Sequence, residues 1–134
     1  MKNNSYVFEI EMEVRDYELD TEQIVNNANY LHYFEHTRHK FCREAGVPFI
    51  DLHNQGIDAV VRKIDIEYIS SLRSGEHFIS ALNIERQGPR FIFNQAIIKA
   101  DGSVVTRGKI TVVILKDGKL SRGEEVAELF APWL

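Results

Sequence analysis

The chain opens on a period of two. Tyr6, Phe8, Ile10, Met12 and Val14 alternate with Val7, Glu9, Glu11 and Glu13, which puts one face of a strand in a core and the other in water. The alternation stops at Arg15, and residues 15–25 read as a loop. From residue 28 to 45 the period becomes helical. Leu31, Phe34, Phe41, Cys42 and Ala45 fall on one apolar stripe, and His32, His36 and His39 lie on the opposite side. Gly46, a left-handed cap, and Pro48, which cannot continue the ladder, end this helix. Residues 49–56 read as a short connection, a turn of helix at most, closed by Gly56.

A succession of strands follows. Residues 57–69 make a long one with Ile64, Ile66 and Tyr68 inward and Lys63, Asp65 and Glu67 outward. Arg73-Ser74-Gly75 turns the chain into a strand at 78–86, and Gln87-Gly88-Pro89-Arg90 turns it again into one at 91–99. Asp101-Gly102 accepts the positive φ values of a tight hairpin and leads to a strand at 104–115. Gly108 inside that strand marks a bulge or a close backbone approach. After a turn at Lys116-Asp117-Gly118-Lys119, residues 124–130 form a short terminal helix, and Pro132-Trp133-Leu134 is a tail that docks on a neighbour. One strand, a long helix and four consecutive antiparallel strands bury the helical stripe only if the sheet curls around it. The expected class is α+β, a single domain over 1–134 with a curled antiparallel sheet of about five strands around a central helix.

Composition narrows the function. A chain of 134 residues, 44% hydrophobic and 27% charged, builds one core and is short for two domains. A net charge of −4 and a pI near 5.7 argue against a nucleic-acid partner and leave room only for a local basic patch facing a phosphorylated ligand. No apolar run spans a bilayer, and Met1 to Ser5 carry no signal core, so a soluble, cytoplasmic protein without membrane insertion is expected. Cys42 stands alone, which excludes an internal disulfide and a multi-cysteine metal site.

The chemistry that remains centres on Asp20. Within seven residues of this loop carboxylate come Asn26 and Asn27, both good N-cap residues, so the helix is expected to begin near Ala28. The start of a helix aims unpaired N–H groups and the positive end of its dipole outward, which suits an oxygen that becomes negative during a reaction. A carboxylate beside such a site suffices to hydrolyse an activated acyl group. The same residues also read as an acid ordering its loop and two ordinary caps. Glu35 and Arg38, at the edge of the apolar stripe and within it, are spaced to pair, either to hold the loop around Asp16 or Asp20 or to let Glu35 tune Asp20 or orient a water. Cys42 reads as a small core residue, and the three helix histidines read as a wet face rather than a metal site. There is no Gly-x-Ser-x-Gly elbow and no phosphate-cradling glycine run.

Val14-Arg15, Tyr17, Leu19-Asp20, Gln23, Val25-Asn26-Asn27-Ala28, Tyr30-Leu31, Glu35 and Arg38 contain the pattern Asp-x-x-Gln-x-Val-Asn-Asn-x-x-Tyr. This pattern resembles that of the hotdog-fold thioesterases, in particular long-chain acyl-CoA thioesterase III and, more distantly, 4-hydroxybenzoyl-CoA thioesterase. The resemblance implies the hotdog fold and a homodimer or homotetramer, with sheets joined edge to edge and active sites at the subunit boundary. It implies acyl-CoA thioester hydrolysis without a cofactor. Asp20 would be nucleophile, through a mixed anhydride, or general base, and the Asn27 amide would polarise the thioester carbonyl. Asn26 and Tyr30 would shape the pocket, with Ile24 and Glu35 also beside the substrate. Two rival functions share the frame: hydrolysis of acyl-carrier-protein thioesters, and a non-catalytic acyl-binding dimer. A hotdog dehydratase would need a histidine and acid that the Asp20 loop lacks. The chain departs from thioesterase III in having Ile24 for a histidine, and from the plant acyl-carrier thioesterases in having Glu22 for an asparagine, so Ile24 makes the pocket greasier and better suited to an aliphatic chain. Arg62, Arg73, Arg86 and Arg90 are the cations available for the phosphates of coenzyme A or an acidic carrier.

Overall fold

A computed structural model describes residues 6–134, so the expectation for Met1 to Ser5 lies outside the described residues. The first strand, β1, covers Phe8–Glu13, and a 3-10 turn at Asp16–Glu18 begins the loop to α1, Asn27–Glu44. The expected turn of helix at 49–56 is α2, Phe49–Asn54. The long strands are β2 (Ile57–Tyr68), β3 (His77–Gln87), β4 (Arg90–Lys99) and β5 (Val104–Lys116), each within a residue or two of its expected bounds. A short β6, Lys119–Ser121, precedes α3 at Glu124–Phe130.

The sheet is antiparallel throughout, in the order β1-β3-β4-β5-β2, with β6 on β5. Strands β3, β4 and β5 form a meander, while β2 crosses to the far edge and pairs with β5, Ile64 opposite Ile110. The chain between β1 and β2 must therefore run from one edge of the sheet to the other. It does so through α1, which lies in the hollow of the curled sheet with Phe34 and Phe41 sealed against Leu82, Phe93, Ile97 and Ile110. Gly108 allows this approach: a Cβ built there would meet the Phe34 ring 2.6 Å away. Burying a phenylalanine contributes roughly 1.5–3 kcal/mol, so the missing methyl on β5 is worth more than a side chain there. This is the hotdog architecture.

The buried side of α1 differs from the expected stripe. It consists of Tyr30, Tyr33, Phe34, Thr37, Phe41 and Cys42, while Leu31 and Ala45 are only half-buried. The stripe is rotated towards the tyrosines because each buried hydroxyl finds a partner. The Tyr33 hydroxyl donates to Glu18 Oε1 at 2.7 Å, that of Tyr30 accepts the Leu72 N–H at 3.1 Å, and that of Thr37 donates to Tyr33 O at 2.8 Å. The tail also departs from expectation. Trp133 docks within its own chain, edge-on to Phe41 with ring centroids 5.6 Å apart. Ile64 and Tyr68 remain about two-fifths exposed, because β2 is an edge strand with no neighbour on its outer side among the described residues.

Candidate active site

The loop that carries Asp20 is a small hairpin. Leu19 and Val25 form an antiparallel bridge, Asp20 N–H donates to Ile24 O at 2.8 Å, and Gln23 N–H donates to Asp20 O at 3.0 Å. Gln23 closes the tip in a left-handed conformation, φ 64°. Asp20 Oδ1 accepts the Glu22 N–H at 2.9 Å, an Asx turn, and no donor among the described residues reaches Oδ2. The carboxylate is thus held by one oxygen and free at the other, and the residue is partly buried.

The stem of the hairpin is tied to α1 through Glu18. Its main-chain oxygen accepts the Asn26 N–H and Asn29 Nδ2, each at 2.9 Å. Its carboxylate, almost wholly buried, accepts from Arg15 N–H at 2.8 Å, from Arg15 Nη2 at 2.7 Å and Nε at 3.0 Å, and from the Tyr33 hydroxyl. Burial pushes the Glu18 pKa up, but the hydrogen bonds from Arg15 and Tyr33 outweigh it and hold the group below the usual carboxylate range. On the other side, Val25 N–H donates to Leu72 O at 2.9 Å and Ile24 bridges Arg73.

Asn26 caps α1, and the helix begins at Asn27, one residue before the expected start. The cap decides which amide stays free. Asn26 Oδ1 accepts the Ala28 N–H at 2.9 Å, and Asn26 O accepts the Asn29 N–H at 2.8 Å. The Asn27 N–H has no acceptor among the described residues, and as a first-turn amide it belongs to the positive end of the helix. Tyr68 on β2 donates to Asn27 O at 3.1 Å and packs its ring 5.7 Å from that of Tyr30. Ile24 and Asn27 are separated by three residues of chain, at most about 11 Å, so the Asp20 hairpin and the free amide share one end of the molecule.

The other expected site residues divide. Asn26 and Asn27 are exposed, and Ile24 is half-buried in its bridge to Arg73. Tyr30 is only 3% exposed with its hydroxyl committed to Leu72, so it braces the site from within the core. Glu35 and Arg38 do not form the expected ion pair. Arg38 Nη1 instead donates to Gln95 Oε1 at 2.9 Å, because the half-buried guanidinium turns towards β4 while Glu35 stays in solvent. Glu35 and Arg38 both line a groove of about 1000 Å³ between α1, α2 and β2, walled by Phe49, Val61, Phe93 and Phe130. Asp20 and Asn27 line neither this groove nor a smaller cleft beside Arg15 and Tyr17, and lie on the surface at the start of α1.

Of the four candidate arginines, Arg73 is the one bridged to the Asp20 hairpin. Arg86 is committed elsewhere: Nη2 donates to Arg122 O at 2.8 Å and its guanidinium lies over Phe91. Cys42 is buried and its thiol is pushed up to about 12 by burial, with Arg38 opposing, as suits a core residue. His32, His36 and His39 are exposed. Among the described residues no helix is long and apolar enough to cross a membrane. The residues missed from sequence are Glu18 and Gln95. Glu18 pairs locally with Arg15 but is buried by Tyr33, fifteen residues away, and Gln95 meets Arg38 fifty-seven residues away, so the burial of neither is announced by a local pattern.

The profile of the Thioesterase-like superfamily matches residues 14–134, which include the Asp20 hairpin, the capped helix and every later strand. The chain belongs to this superfamily. Among superfamily relatives, it is 34% identical over 99 residues to the acyl-acyl carrier protein thioesterase ATL3, chloroplastic, of Arabidopsis thaliana, covering 73% of this chain and 52% of that one. The superfamily chain described here thus spans about half the length of that plant relative. It is 31% identical over 118 residues to a putative esterase of Aquifex aeolicus, covering 87% of this chain and 91% of that one. The fold superposes on the crystal structure of YbaW, a probable thioesterase from Escherichia coli, with TM-score 0.80 and 27% identity, over 93% of this chain and 97% of that one.

Proposed function

We propose that the protein hydrolyses acyl thioesters of coenzyme A or of acyl carrier protein, with Asp20 and the Asn27 amide as the reacting pair. The observation that carries this reading is the free Asn27 N–H beside the Asp20 hairpin, in a chain of the Thioesterase-like superfamily. Asn26 uses the Ala28 and Asn29 amides for capping, which leaves one donor fixed in direction for an oxyanion. Asp20 Oδ2 attacks the acyl carbon, or takes a proton from the water that does. The carbonyl oxygen gains its charge at the Asn27 N–H, and the thiolate leaves with the bond's electron pair. On the first route water then cleaves the mixed anhydride and returns Asp20 to a carboxylate. A thiolate is a good leaving group, so the reaction asks for little acid catalysis.

The complete site is proposed to form between two copies. Strand β2 and the residue after it expose Val60, Val61, Ile64, Tyr68 and Ile69, and the backbone donors and acceptors of its open edge suit antiparallel pairing with a second β2. Such a seam lies beside Tyr68 and Asn27 and would wall the surface on which Asp20 stands. Arg73, bridged to Ile24, would supply a cation for the phosphates of the leaving group or for acidic side chains of a carrier. Thiol release from acyl-CoA and from acyl carrier protein thioesters, measured side by side for the unaltered protein and Asp20→Ala, tests the reading. Loss of turnover by a factor of 10² or more, roughly the cost of deleting an oxyanion donor, is expected. An unchanged rate in Asp20→Ala removes the mechanism, and tight acyl-CoA binding without thiol release makes the protein a binding module.

A further inference from the structure

Positions 27, 31, 35, 38 and 42 follow one another by four, four, three and four residues and form one line along α1, beside the buried stripe of Tyr30, Phe34 and Phe41. The line starts at the free Asn27 amide, and its later members Glu35, Arg38 and Cys42 line the groove. Strand β2 supplies the opposite wall at both ends. Tyr68 holds Asn27 O at one, and Ile57, Ala59 and Val61 face the groove at the other. The line of α1 positions thus leads from the candidate active site, on the surface, to the groove, and β2 runs alongside from Tyr68 to Ile57.

Glu35, Arg38, Arg43, Asp51 and Asp58 interrupt the apolar wall, and of these Arg38 is the one held against the buried Gln95. Arg38 is half-buried, and among the described residues its only hydrogen-bond partner is Gln95. Gln95, 2% exposed, is itself fixed by Nε2 donating to Phe34 O at 3.1 Å. The remaining guanidinium N–H groups are neither bonded nor sealed off, and the side chain lines the groove. Burial lowers the Arg38 pKa while the field of Glu35 opposes the shift. A cation so placed is costly unless its donors are used. Glu35, one helical turn away, makes no ion pair with Arg38, but its negative field at the guanidinium opposes a second carboxylate there. The acceptor that fits is a neutral oxygen.

We propose that Arg38 is a specificity-determining residue that selects acyl thioesters bearing a hydroxyl or oxo oxygen far along the chain over plain alkyl chains of equal length. The inference rests on the thioesterase reading and names the substrate class within it. Eleven residues of helix separate Asn27 from Arg38, about 16 Å of rise, and an arginine side chain leans back by about one turn. The selected oxygen therefore lies roughly 11–16 Å from the thioester carbonyl.

The test is calorimetric binding of non-hydrolysable S-alkyl-coenzyme A thioethers of one fixed length to the unaltered protein and to Arg38→Gln. One thioether is plain, a series carries a hydroxyl walked along the chain, and one ends in a carboxylate. The unaltered protein is expected to bind the distal hydroxyl at least about tenfold tighter than the plain or proximally hydroxylated chain, the scale of a hydrogen bond to a charged donor. Arg38→Gln is expected to bring that preference to within about twofold. Equal binding of all chains, no binding of any, best binding of the carboxylate, or a preference that survives Arg38→Gln overturns the proposal. The comparison within the unaltered protein holds even if the variant does not fold. Selective binding without turnover defeats only the hydrolysis reading, and turnover without selectivity defeats only this one.

Discussion

Replacing Glu18 by alanine tests whether the Asp20 hairpin is held by a buried charge. Glu18 is 6% exposed, and its carboxylate accepts from three nitrogens of Arg15 and from the Tyr33 hydroxyl. The Arg15 side chain is half exposed and recovers water once the carboxylate is gone, so most of that ion pair is not lost. Tyr33 is 1% exposed and is left with an unsatisfied hydroxyl, at about 1–3 kcal/mol. With the Arg15 backbone donor added, the expected loss is about 2–3 kcal/mol. For a domain of this size that is a fall of roughly 6–15 °C in Tm. Because the folded-state pKa of Glu18 lies below its ordinary 4.5, its contribution is fully present above that value and disappears as the pH falls through the lower folded value. Thermal unfolding followed by circular dichroism at pH 7 and at stepwise lower pH reads both effects. The gap between the unaltered protein and Glu18→Ala should be widest at pH 7 and narrow below about pH 4.5. A gap under about 0.5 kcal/mol at pH 7, or one constant down to pH 3, would refute the reasoning. Hydrogen exchange at the Asn26 amide, which donates to Glu18 O, should quicken in the variant.

Gly108→Ala drives a methyl into the Phe34 ring and should destabilise the fold by about 1–3 kcal/mol in urea unfolding, with no penalty expected if β5 could simply retreat. Cys42, buried with its thiol pushed up to about 12, should resist iodoacetamide at pH 8 in the folded state and react once denatured; stoichiometric labelling of the folded protein contradicts that. Ile64→Asp sets a like charge against itself across a β2–β2 seam and should weaken self-association at least tenfold in sedimentation, whereas a variant that associates as before moves the seam elsewhere.

Much of the architecture was legible in the chain because its determinants are local. Glutamates alternating with apolar residues make β1 whatever it packs against, and Asn26 caps α1 with its own side chain two residues from the amide it takes. Asp101-Gly102 and Glu124–Phe130 likewise carry their conformations within a few residues. The loop around Asp20 and the start of α1 were legible for the same reason, since both conformations are set within a few residues of chain. Tertiary structure decided where the polar groups of α1 go. Spacing along one helix matched Arg38 with Glu35, but a half-buried guanidinium satisfies itself across the core, and Gln95 was brought within 2.9 Å only when β4 closed over the helix. Nothing near Tyr30 in sequence named Leu72 as the partner of its hydroxyl, and Trp133 could not be told from an intermolecular anchor until Phe41 received it. Periodicity records which side of an element leaves water. It cannot record which distant group will meet a polar atom there, because that depends on sheet order and register, and these are fixed only when all the strands pack together.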